Sequence, residues 1–150
     1  MESLTVEILS YYLPHNIKAE ILDYKIDYVN KQFDTIVGIN QWDKYGMLWS
    51  VTTKGGSKPS INRIKPVLFP LSFLTKEIKY GSKYIVPVDY ISTSIKDSQR
   101  TCRIANENGQ LDVLEFWKIQ RLVSLRIDVF GLIQKGLASD ASKLKGVYND

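Results

Sequence analysis

Leu111, Leu114, Lys118, Leu122, Leu125, Val129 and Leu132 step through the last third of the chain by threes and fours, with Lys118 the one polar member of the series. That period lays all of them on one face of an α-helix, and Phe116, Trp117, Ile119 and Phe130 widen the face until it can lie against a sheet. The longest helix of the chain is therefore expected over 111–132. Gly131 weakens it from inside and Gly136 supplies a stop, which leaves 136–150 as a frayed polar tail.

Upstream the period changes. Leu4, Ile8, Leu9, Tyr12 and Leu13 are spaced for a short N-terminal helix that Pro14 cannot continue. Residues 17–24 alternate polar and apolar as a strand does, and a second strand is expected over 33–42. Asp43-Lys44-Tyr45-Gly46 then supplies a carboxylate to start a turn and a glycine to end it, so 47–53 returns as the third strand of a hairpin. The run Lys54-Gly55-Gly56-Ser57-Lys58-Pro59-Ser60 reads as a loop, and Pro66 and Pro70 bracket a short extended piece. Residues 72–78 can form a turn or two of helix. A second hairpin is expected over 79–88 around Gly81-Ser82, with Pro87 confining its second arm to an edge or a strand end. The polar, aperiodic text of 92–109 predicts a mobile loop. The class is α+β: a small antiparallel sheet of hairpins packed against a long C-terminal helix, with a short N-terminal helix. At 150 residues and 44% hydrophobic content, one domain spanning 1–150 can bury a core without cross-links.

Chemistry is sparse. His15 is the only histidine and Cys102 the only cysteine, so an internal disulfide, a thiolate metal cluster and most nucleophile-base pairs are out of reach. His15 reads as a helix-end residue, and Cys102, although Arg100 and Arg103 lie beside it, as an ordinary thiol. Two acidic pairs invite a glycosidase or nuclease reading. Asp112 and Glu115, however, suit a helix N-terminus, and Asp23 and Asp27 suit a turn. The 54–58 glycines and lysines could cradle a phosphate, but the residue order of a phosphate-binding loop is missing. No catalytic residue, no metal site and no cofactor is expected, and the chain is read as a non-enzyme.

The formal charge of +4 is unevenly placed: 61–110 carries eight Lys and Arg against four Asp and Glu, whereas the flanking thirds nearly balance. Lys54, Lys58, Arg63, Lys65, Lys76, Lys79 and Lys83 form the candidate surface for a partner or nucleic acid, with Tyr80 and Tyr84 interleaved. Cations that neutralise phosphates and rings that stack on bases are what single-stranded nucleic acid requires. Trp42, Tyr45 and Trp49 on the first hairpin are candidate aromatic anchors for a protein interface. No run of about 18 apolar residues predicts a membrane span, and Met1-Glu2-Ser3-Leu4 lacks the pattern of a secretory signal. The expected location is the cytoplasm.

Gln41-Trp42-Asp43-Lys44-Tyr45-Gly46-Met47-Leu48-Trp49-Ser50, Gly55-Gly56-Ser57-Lys58-Pro59-Ser60-Ile61, Ile64-Lys65-Pro66-Val67-Leu68-Phe69-Pro70-Leu71-Ser72 and Asp128-Val129-Phe130-Gly131-Leu132-Ile133 carry a resemblance. The chain resembles short proteins of phages and prophages of Bacteroidetes from about Ile17 to Ala138, with a gap at 92–109. The resemblance brings no catalytic residues with it. It implies a setting in which small proteins bind a host machine, and an anti-CRISPR inhibitor of an RNA-guided effector is the leading expectation. The partner is then a host protein or ribonucleoprotein complex. Two alternatives stand beside it: a small basic RNA- or DNA-binding accessory protein, and a phage structural or assembly factor that self-associates through the long helix.

Overall fold

A computed structural model of the chain describes residues 3–22, 32–41, 49–108, 111–144 and 147–148. It forms two compact units, Met1–Val67 with Gln134–Ser139 and Leu68–Ile133 with Asp140–Asp150.

In the first unit the Thr5 hydroxyl accepts the Ile8 N–H and so starts helix α1 (Val6–Tyr12), which buries Leu9 and Tyr12. Pro14 falls in a single 3-10 turn, and Asn16, left-handed at φ 52°, turns the chain into the sheet. Strands β1 (Lys18–Ile21), β2 (Gln32–Gln41), β3 (Trp49–Thr53), β4 (Ile64–Leu68) and β7 (Ser139–Asp140) make a five-stranded sheet in the order β3-β2-β1-β4-β7. The β1–β2, β2–β3 and β1–β4 pairs are antiparallel, as the alternating text requires. The predicted 43–46 turn lies outside the described residues.

The glycine-rich loop after β3 is built around a carboxylate. Asp34 Oδ1 accepts the Thr35 N–H at 2.7 Å and Oδ2 accepts the Gly55 N–H at 3.0 Å. A Cβ on residue 55 would sit 2.7 Å from Oδ2, so any larger residue there has to push the carboxylate aside. The Gly55 amide that could have met a phosphate is thus already used. Beyond the turn, 57–60 runs back along β3: Ser57 and Pro59 carbonyls accept the Thr53 and Val51 N–H groups, which covers an edge that would otherwise stay open.

In the second unit β5 (Ile78–Tyr80) and β6 (Lys83–Ile85) pair antiparallel as the predicted hairpin, with Gly81 supplying the positive φ of its turn. Pro87 opens helix α2 (Pro87–Ile91), where its missing N–H has no cost. Leu74, Ile78, Val88, Ile91, Leu111, Leu114, Leu122, Leu125 and Ile127 form the core of this unit.

Three expectations fail here. Residues 92–109 do not form a mobile loop: 95–108 is α3 (Ile95–Asn108), the longest helix described. The Ser94 hydroxyl accepts the Asp97 N–H and the Asp97 carboxylate accepts the Thr93 N–H, a reciprocal cap. Its inward side draws on Ser98, Thr101, Cys102, Ile104 and Ala105, of which Ile104 alone is large and apolar, too little to register as an apolar period.

The long C-terminal helix is not formed either. Leu111–Val113 is a 3-10 turn, and α4 spans Phe116–Ser124 only. It ends because Arg126 takes a left-handed φ of 63°, while the Arg126 N–H reaches the Val123 carbonyl and the Ile127 N–H the Leu122 carbonyl. That is a Schellman motif, with buried Ile127 and Leu122 in one apolar cluster and an arginine where glycine is the usual occupant. The chain then extends, bridging Ile127 to Phe69, and the buried Asp128 carboxylate accepts the Leu132 and Ile133 N–H groups. The periodic residues Leu111, Leu114, Lys118, Leu122, Leu125 and Leu132 are all buried, whereas Phe116 and Trp117 face solvent instead of widening a core face.

Nor do the described residues of 136–150 fray. Ala138, Ala141 and Tyr148 are buried, and the Ser139 hydroxyl donates to Glu20 of β1 at 2.7 Å. Isolated apolar anchors between polar residues gave no period from which this could be read. Among the described residues no helix is long and apolar enough to cross a membrane.

Burial pushes the Asp34 carboxyl upward, but the Gly55, Thr53 and Thr35 donors and the Lys54 charge together hold it below the usual carboxylate value. A depressed carboxyl contributes stability above the ordinary range near pH 4 and loses it as acid protonates the native state. Gly55→Ala is expected to lower the denaturant-derived unfolding free energy by about 1 kcal/mol, the worth of one hydrogen bond. Asp34→Asn should weaken the acid dependence of that free energy between pH 5 and pH 2, measured by urea titration at each pH.

Candidate partner-binding surface

Every basic residue singled out above falls on one unit or the other. In the first unit Lys54, Lys58 and Arg63 are exposed and Lys65 is half-buried. Lys58 lines an open, shallow depression with Asn40, Gln41 and Thr52, and the Asn40 side-chain amide donates to the Thr52 hydroxyl across it. Lys54 stands close enough to Asp34 to favour its charge. Trp42 and Tyr45 lie outside the described residues, and Trp49 is half-buried on β3.

In the second unit the hairpin sets Lys79 opposite Tyr84 and Tyr80 opposite Lys83. Lys76 and Lys83 are exposed and Lys79 half-buried. Lys76 lies over the Phe73 ring, 4.8 Å from its centroid. Tyr84 is 65% exposed and Tyr80 40%, so this short sheet shows solvent one large ring on each face, each beside the lysine opposite it.

Sequence reading missed how this surface continues. The Tyr80 ring lies 6.5 Å from that of Tyr90 on α2, at an interplanar angle of 41°. The Arg121 guanidinium of α4 comes next, 5.2 Å from the Tyr90 ring centroid and 4.9 Å from that of Trp117. Its Nη1 donates to the Tyr90 carbonyl at 3.1 Å, which holds the guanidinium beside both rings. Tyr90 and Trp117 remain 40% and 37% exposed. The available signal was the i, i+4 spacing of Trp117 and Arg121, which shares one helix face; the Tyr90 contact crosses 31 residues and leaves no local trace.

Behind Trp117 the charges are tightly matched. Lys118, 2% exposed, places its ammonium 2.6 Å from Asp97 Oδ1 on α3 and 3.2 Å from Glu115 Oε2 at the start of α4. Arg100 adds 3.2 Å to Glu115 and 3.8 Å to Asp97. The Lys118 hydrogen bond, followed by the Thr93 N–H, holds the Asp97 carboxyl below its usual value; Glu115 is lowered by its own backbone N–H and then by Lys118. Glu115 of the second acidic pair is therefore taken up by cations, while Asp23 and Asp27 lie outside the described residues. His15 is half-buried in its 3-10 turn, and Cys102 packs half-buried against the core of the second unit. Among the described residues no group of three or more His, Cys, Asp or Glu could hold a metal ion.

No family model, curated protein or solved structure matches the chain.

Asp97→Ala strands the buried Lys118 ammonium with one half-exposed carboxylate, whereas Lys118→Met removes the charge and keeps the volume. The thermal unfolding midpoint is expected to fall further in Asp97→Ala than in Lys118→Met. Because both carboxyls are held low, wild-type stability from this cluster is present above about pH 4 and lost in stronger acid. Lys118→Met should flatten that part of the midpoint-against-pH curve.

Proposed function

We propose that the chain works by binding, not by catalysis, and that what it grips is an exposed RNA strand of a host RNA-guided complex, which it thereby inhibits. The β5–β6 hairpin carries this reading: each of its faces sets an exposed tyrosine beside a lysine, Tyr80 with Lys83 and Tyr84 with Lys79, a cation for phosphate next to a ring for a base. The phage setting implied by the sequence resemblance supplies the target class. The lysines of the first unit, with the Lys58 depression, add long-range attraction to the same kind of ligand. Action on free nucleic acid rests on the same surface and separates from the leading reading by experiment. Self-association through a long helix loses its premise, since α4 has nine residues.

Two measurements test the reading. Co-purification with RNA-guided effectors, loaded with guide RNA or stripped of it, should recover the chain on the loaded form. Binding of a free RNA oligonucleotide should weaken as salt rises, and Lys79→Ala with Lys83→Ala should make the logarithmic salt slope shallower by roughly 0.7 for each phosphate that is no longer neutralised. A flat salt response together with no complex on any effector would sink the proposal.

A further inference from the structure

We infer that Tyr80, Tyr90, Arg121 and Trp117 form a stacking platform for the unpaired bases of a single strand; this rests on the nucleic-acid reading and adds to it the residues that take the bases. The three rings and the guanidinium are neighbours in turn, with Tyr80 6.5 Å from Tyr90 at a 41° tilt and the guanidinium 5.2 Å from the Tyr90 and 4.9 Å from the Trp117 centroid. Tyr80 and Tyr90 stay 40% exposed and Trp117 37%, so all three residues can be reached from solvent. A guanidinium anchored by the Tyr90 carbonyl offers a planar face to a base and carries charge as well.

Charge selects the occupant. Lys83 lies opposite Tyr80 on the hairpin and the Arg121 guanidinium lies within the row, while Asp97 and Glu115 are matched by Lys118 and Arg100. An anionic chain with planar groups meets both features, and one exposed ring takes about one base. Bases paired in a duplex keep their faces covered by their neighbours, so the platform takes single strands and not duplexes. The Lys118 cluster holds the position of Trp117 from behind, with the Lys118 ammonium 5.5 Å from its ring.

Fluorescence anisotropy with a labelled oligoadenosine, and with a duplex of equal length, tests the assignment on the full chain. Trp117→Ala and Tyr90→Ala are expected to weaken strand binding by about five- to a hundredfold each, and the duplex should bind more weakly than the strand in wild type. Arg121→Lys keeps the charge and loses the plane; it should weaken binding with the salt slope unchanged, and Trp117→Phe should recover part of the affinity that Trp117→Ala removes. These two conservative variants carry the test if an alanine variant unfolds. Wild-type strand binding that none of the four substitutions alters would overturn the platform and leave the nucleic-acid reading standing. No strand binding by wild type would overturn both. Equal affinity for the duplex, or Trp117-dependent capture by an effector protein stripped of its RNA, would replace the platform with another occupant.

Discussion

An ammonium group taken out of water needs anions within hydrogen-bond reach, and the second unit is arranged around that need. Lys118 is buried on the inward face of α4, so Asp97 of α3 and Glu115 at the start of α4 must both turn toward it. An ion pair of this kind adds little net stability over an apolar substitute, because desolvation cancels most of the attraction. Its effect is on arrangement: we hold that it sets the register of α3 against α4, a specificity that oily contacts alone enforce weakly. With Lys118 pointing inward, its neighbour Trp117 and the residue one turn on, Arg121, are left on the outward side, where Tyr90 meets them.

The same residue shows how far a sequence can be read. The steps of three and four foretold which side chains are buried, Lys118 included, yet not how the backbone carries them, because burial periodicity persists through a helix end when the chain continues along the same core. The end itself is silent in the sequence: Arg126 stands where a glycine would have announced it. Helix α3 had the opposite defect. Its cap, Ser94 and Asp97, was spelled out, but apart from Ile104 its buried side is made of small and polar groups. Strands β1 to β3 were legible because alternation is local. Of the candidate surface, the hairpin lysines and tyrosines were legible for the same reason, while Tyr90, Arg121 and Trp117 come together only through packing.

The glycine loop of the first unit makes a related point about motifs. Glycines beside lysines suggest a site for an external anion, and an anion is indeed bound there, but it is Asp34 of the neighbouring strand. An internal carboxylate satisfies the amides, closes the turn and lets 57–60 shield the sheet edge. Composition alone does not say whether such a loop faces inward or outward in its chemistry.

Arg126 carries a further consequence, for the order in which this sequence can change. Its left-handed backbone is a conformation glycine adopts with less strain, but its guanidinium lies 3.9 Å from the centroid of the Tyr148 ring, which also packs on Phe69. Backbone ease and side-chain contact therefore pull position 126 in opposite directions, and which one prevails depends on whether residue 148 is aromatic. A lineage that lost Tyr148 first would find glycine at 126 an improvement; one that kept it would find the same step a loss. Because the two side chains touch, substitutions at 126 and 148 are expected not to add, and residue 148 conditions what a helix terminus twenty-two residues earlier tolerates.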